Sequence, residues 1–77
     1  MSYVTVSFPE RREVFIDDES QGDNTAASGR LRALFVGAGI HTFALGGAPN
    51  IAPLTQKLDV PEKSALDPFP VVFAMRP

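Results

Sequence analysis

The sequence predicts an all-β domain, a small antiparallel β-sandwich of six to seven short strands. Three observations carry that expectation. Apolar and polar residues alternate over short runs. Gly, Pro, Asp and Asn cluster between those runs, at the roughly 8–12 residue spacing of sandwiches. The balance of 44% hydrophobic and 21% charged residues is that of a folded chain. At 77 residues it reads as one domain spanning 1–77, near the small end of what folds alone.

Tyr3-Val4-Thr5-Val6-Ser7-Phe8 places Val4, Val6 and Phe8 on one face of a first strand, which Pro9 closes. Glu13-Val14-Phe15-Ile16-Asp17 is a second strand, with Val14 and Ile16 on one side and Phe15 on the other. Because only residues 9–12 join them, the two strands are expected to pair antiparallel. Residues 17–24 are all turn formers and charges and read as a loop. Residues 30–36 are ambiguous. Leu31, Leu34 and Phe35 have helical spacing, whereas Leu31, Ala33 and Phe35 alternate with Arg30 and Arg32. The flanking glycines favour a strand; a helix at about 28–36 would make the fold α+β.

Gly37-Ala38-Gly39 reads as a tight turn, since glycine reaches positive φ without penalty. Residues 40–45 then return as a strand, making 31–45 a hairpin. Residues 46–50 are a break. Leu54, Leu58 and Val60 lie on one side of the next strand. Residues 61–66 are expected to form one helical turn, with Pro61 at its first position, and 69–75 the last strand.

Composition removes several chemistries. With no cysteine there is no disulfide, thiolate metal site or cysteine nucleophile. A net charge of −2 offers no electrostatic case for nucleic acid or an anionic membrane. No apolar run approaches the ~18 residues of a membrane helix, so no membrane insertion is expected. The first residues lack a signal-peptide pattern, so the chain as given reads as cytoplasmic; envelope association is the alternative if it is a fragment.

His41 is the only histidine. It shares a side with Phe43 and Leu45, so it is expected at the core margin with one ring nitrogen reaching the glycine turn. A catalytic role would require a carboxylate beside it in a pocket. Asp17, Glu19 and Gln21 occupy positions 1, 3 and 5 of an EF-hand-like count, and Gly22 position 6. Position 12 is Ser28, and the segment reads as a solvated turn. Residues 37–42 start like a dinucleotide loop but carry Thr42 where the third glycine belongs. None of Ser7, Ser20, Ser28 and Ser64 has a nucleophile context. No catalytic, cofactor or metal-binding residue is therefore expected, and the protein is read as no enzyme.

The candidate interaction surface comprises Tyr3, Phe15, Arg11, Arg12, Arg30 and Arg32. The four arginines would form a basic patch if the second and third strands were adjacent; otherwise they make surface ion pairs. Phe15 is either a solvent-facing anchor or covered by the rest of the chain. Open sheet edges can accept a strand from a partner or a second copy. The expected function is a non-catalytic interaction or structural module that docks to a protein partner or to itself. The alternative is a carbohydrate- or polymer-binding module using Tyr3 and Phe15 as stacking surfaces.

Residues 8–17 read Phe8-Pro9-Glu10-Arg11-Arg12-Glu13-Val14-Phe15-Ile16-Asp17, followed by Gly22-Asp23-Asn24-Thr25 and later Gly39-Ile40-His41-Thr42-Phe43-Ala44-Leu45. From about Val4 to Met75 this resembles the PEGA-domain family of small bacterial β-sandwich modules. That family has a Pro-Glu-Gly-Ala step, a Val-x-Ile/Leu-Asp strand with a Gly-x-Thr-Pro turn, and a Gly-x-His strand. Here Arg11 and Arg12 replace Gly-Ala, Asn24 lengthens the turn, and Ala26 stands where proline belongs. The resemblance implies a non-catalytic module common in surface and envelope proteins.

Overall fold

Two sheets meet over one apolar core in the computed structural model, which describes residues 2–47, 51–52 and 55–75. The strands among them are β1 (Ser2–Ser7), β2 (Glu13–Ile16), β3 (Glu19–Asp23), β4 (Leu34–Val36) and β5 (Gly39–Leu45). They continue as β6 (Ile51–Ala52), β7 (Thr55–Val60), β8 (Phe69–Val72) and β9 (Ala74–Met75). The first sheet has the order β4-β1-β8 and the second β3-β2-β5-β7, while β6 and β9 form a small pair. Neighbours are antiparallel except β1 and β8, which run parallel. The domain is all-β, and no helix occurs among the described residues, so the α+β alternative falls. No helix of the described residues is long and apolar enough to cross a membrane.

Alternation places the core as expected on most strands. Val4 and Val6 from β1, Leu34 and Val36 from β4 and Val71 from β8 are buried. They meet Val14 and Ile16 from β2, Phe43 and Leu45 from β5, and Val60 from β7, with Leu58 partly buried against them. Each such side chain contributes about 1.5–3 kcal/mol when fully removed from water. Leu54, also expected on the inner side, lies outside the described residues.

The pairing of the strands differs from the sequence reading. The first two strands do not pair: β1 lies between β4 and β8, and β2 between β3 and β5. Residues 9–12 therefore cross from one sheet to the other, which lets the apolar faces of β1 and β2 oppose each other across the core. Likewise, 31–45 is no hairpin. β4 pairs with β1, β5 pairs with β2 and β7, and Gly37-Ala38 is a second crossover. The inward phase of β4 is Leu34 and Val36, with Leu31 and Phe35 exposed. Pairing with β1 sets that phase, because Phe35 sits opposite the outward Tyr3.

Residues 17–24 hold a strand that the polar composition hid. Asp17 and Asp18 have φ of 53° and 67°, the two positive values a type I′ hairpin turn demands. β3 then returns as an edge strand with an exposed face, so it carries no apolar alternation. Glu13 pairs with Asp23 and Phe15 with Ser20, so Gln21 and Gly22 together oppose Val14 in a bulge. Gly22 has φ of 81°, and a Cβ there would sit 2.7 Å from the Arg32 Nη1. Gly22→Ala is expected to destabilise by about 1–2 kcal/mol, chiefly through backbone strain, read as a lower urea midpoint at unchanged slope.

Two further expectations are corrected. Residues 61–66 form no helical turn, because their backbone is tied to β1. The fully buried Ser2 donates its hydroxyl to the Pro61 carbonyl at 2.6 Å and accepts from Lys63 N–H at 3.0 Å. Tyr3 N–H donates to the Lys63 carbonyl at 3.0 Å. The last strand is split at Phe73, a buried core residue whose N–H donates to the Ser7 carbonyl at 2.9 Å.

Candidate functional site

The sheet orders bring the β3 and β4 edges to the same margin of the sandwich, and a cleft of about 350 Å³ opens between them. Ile16 and Val36 form its apolar floor. Asp17, Glu19, Gln21 and His41 line it from the second sheet, and Phe35 and Gly37 from the end of β4. At the opposite margin Gln56 of β7 donates to the Val72 carbonyl of β8 at 2.7 Å, tying the sheets together. The cleft thus marks the more open side.

His41 points inward from β5, on the same side as Phe43 and Leu45, and its ring meets Phe43 edge-on with centroids 6.5 Å apart. Both ring nitrogens face acceptors. Nδ1 lies 2.6 Å from Asp17 Oδ2 and Nε2 lies 2.6 Å from the Gly37 carbonyl. The glycine contact is the one the strand phase predicted. The carboxylate was missed, because Asp17 is 24 residues away and reaches His41 only through the β2–β5 pairing. Asp17 is itself fixed from two directions: its Oδ1 accepts from Thr42 N–H at 2.9 Å, and its own N–H donates to the Thr42 carbonyl at 2.8 Å.

The electrostatic consequence is mutual. The hydrogen bond from His41 and then that from Thr42 hold the Asp17 carboxyl below its ordinary range. The Asp17 carboxylate raises His41, against a smaller opposing effect of desolvation, and the Gly37 carbonyl adds to the rise. A histidine beside a carboxylate in a cleft is the arrangement a general base requires. In working dyads, however, the second nitrogen faces the substrate or nucleophile. Here Nε2 is engaged by Gly37, and Ser20, the nearest candidate hydroxyl on β3, donates to Glu13.

This chain matches no family model, no curated protein and no solved structure.

The acidic segment does not form a metal-binding loop of the EF-hand kind, because 19–23 is a strand on which alternate side chains diverge. Among the described residues, no three of His, Asp and Glu gather to hold a metal ion.

The arginines hold the chain's own backbone. Arg11 donates to Thr25 Oγ1 at 3.3 Å and to the Ala26 carbonyl at 3.0 Å. Arg12 pairs with Glu10 and lies 5.6 Å from the Phe8 ring centre. Arg32 Nη1 donates to the Gln21 and Asp23 carbonyls at 3.3 and 2.9 Å, capping part of the β3 edge. Arg30 lies exposed, and its carbonyl accepts from Ala26 N–H at 2.8 Å. The guanidinium groups of Arg11 and Arg32 thus fasten the 24–32 loop to the 9–12 crossover and to β3, while that of Arg12 stays with Glu10 and Phe8.

The two aromatic candidates separate as well. Phe15 is half-buried on the outer face of the second sheet, between Ser20 and Ala44, with Gly46 close to its ring. Tyr3 lies on the outer face of the first sheet and meets Phe35 edge-on, centroids 5.7 Å apart and planes at 76°. Phe35 is 55% exposed and Val72 63% exposed, and Pro70 shares their face. Phe35 thus joins this outer face to the cleft, a role its strand phase concealed.

Proposed function

We propose that this protein is a non-catalytic interaction module that takes an extended segment of a partner protein along the free edge of β4. One observation carries the reading: β4 ends its sheet, with a strongly exposed Phe35 on its outer side and the cleft along its other side. Of the two strands that border the cleft, β3 has edge carbonyls taken by Arg32, and β4 is left as the side on which main-chain groups await a strand. Added strands gain backbone hydrogen bonds, while alternate side chains find Tyr3 and Phe35 on one face and the cleft on the other. The outer face of this sheet is only three short strands wide, whereas a stable dimer buries roughly 800 Å² per partner, which favours a strand-like partner over face-to-face self-association.

A kinship with PEGA-like modules belongs to the same proposal and rests on the sequence resemblance of residues 8–17, 22–25 and 39–45. A carbohydrate-binding role has weaker support. The perpendicular Tyr3 and Phe35 rings present no shared stacking plane, and Phe15 is partly covered.

The test compares protein retained from the source cell by the immobilised chain and by its Phe35→Asp variant, with light scattering for self-association. Loss of an aromatic anchor is expected to lower retention about tenfold or more. A monomer that retains nothing, or equal retention by the variant, contradicts the reading.

A further inference from the structure

We propose that His41 is a proton-operated clasp that fastens the Gly37 crossover to β5 and lets it go when the ring loses one proton. The argument is a count of donors and acceptors. An imidazolium has two N–H donors, and here each meets an acceptor at 2.6 Å. A neutral ring has one. Whichever nitrogen loses its proton then presents a lone pair to an oxygen, and that contact turns repulsive. The bond to the Asp17 carboxylate is charge-assisted and the stronger of the two, so Nδ1 keeps its proton and the Gly37 carbonyl is released.

The release acts at a defined place. Gly37 follows Val36, the last residue of β4, and together they border the cleft. Freeing the Gly37 carbonyl loosens the end of β4 and widens the cleft's mouth, while the Asp17 turn stays attached through Thr42. The charged groups around the ring are few. Asp17 and Glu19 line the cleft with it. On β7, His41 faces Leu58, while the neighbouring Lys57 and Asp59 lie on the opposite side of the sheet. β4 brings only Phe35 and Val36. Asp17 is therefore the ionic partner that matters.

The linked stability has a definite sign. His41 is raised by its partners, so its contribution is complete below its ordinary 6.5 and fades as pH rises through the higher folded value. Asp17 is lowered, so its contribution is complete above 3.8 and fades as pH falls through the folded value. Between 3.8 and 6.5 both contributions favour the closed clasp.

NMR on the intact chain, titrated from about pH 5 to about pH 9 around the histidine range, provides the test. The His41 ring is expected to titrate with a midpoint above 6.5. The Gly37 carbonyl carbon and the Ala38 amide, which share one peptide group, should shift with that same midpoint. Asp17→Asn should lower the midpoint, and His41→Gln should abolish the step. A ring midpoint at or below 6.5, or a Gly37 carbonyl indifferent to the ring's titration, overturns the proposal. The wild-type titration decides this even if a variant fails to fold. Partner retention is not among its readouts, so its failure and that of the docking role are distinguishable.

Discussion

Phe43→Ala is expected to destabilise the protein by about 3–5 kcal/mol, the usual range for deleting a fully buried phenylalanine. Phe43 is completely buried and among the largest such side chains. It lies mid-β5, paired with Ile16 of β2 and Gln56 of β7, where no chain end can collapse into the space. A domain of this length has about 4–12 kcal/mol in total at ~0.05–0.15 kcal/mol per residue, so the variant loses a large share of its stability.

 Urea unfolding of both proteins checks this: the midpoint should fall steeply, with the slope unchanged if the two end states keep their compactness. Phe43→Leu, which retains most of the volume, should cost far less.

Asn24→Ala is the second large effect, expected at about 2–3 kcal/mol. Asn24 is fully buried although it is polar. Its Oδ1 accepts from Arg12 N–H at 2.9 Å, and its Nδ2 donates to the Glu10 carbonyl at 3.4 Å. Its backbone completes the junction: Asn24 N–H donates to the Arg12 carbonyl at 2.9 Å, and its carbonyl accepts from Arg32 N–H at 3.0 Å. One residue thus fastens the 9–12 crossover to the end of β3 and to the 24–32 loop. Alanine would leave the Arg12 N–H without its acceptor and open a small void, and an unmet buried donor costs more than the bond itself contributed. Calorimetry of the variant should show the lower melting temperature. Asn24→Asp tests the chemistry separately, because a carboxylate still accepts from Arg12 but repels the Glu10 carbonyl.

The sandwich was legible because burial follows strand phase. Val4, Val6, Val14, Ile16, Phe43 and Val60 point inward where alternation put them. The same reasoning puts His41 at the core margin with a ring nitrogen on the 37–39 turn backbone, where it meets the Gly37 carbonyl. β3 was not legible, since an edge strand exposed along its length has no apolar pattern to display. The phase of β4 was misread because Leu31, Ala33 and Phe35 form as regular an alternation as Leu34 and Val36. Only the pairing of Phe35 with Tyr3 separates the two. The candidate site suffered most. Asp17 and His41 belong to different strands, and no local spacing predicts that a turn aspartate will meet a histidine on β5.

Side-chain order along the chain was enough to establish an all-β class, the inward faces of most strands and the absence of any thiol chemistry, since these depend on neighbours in the chain. Which strands lie side by side, where the two crossovers run, and what opposes His41 across the cleft came from the folded arrangement alone. The reason is that main-chain hydrogen bonds are nearly the same for every residue type. Strand partners are therefore chosen by how distant apolar faces close over one another, a global property that no short stretch of residues encodes.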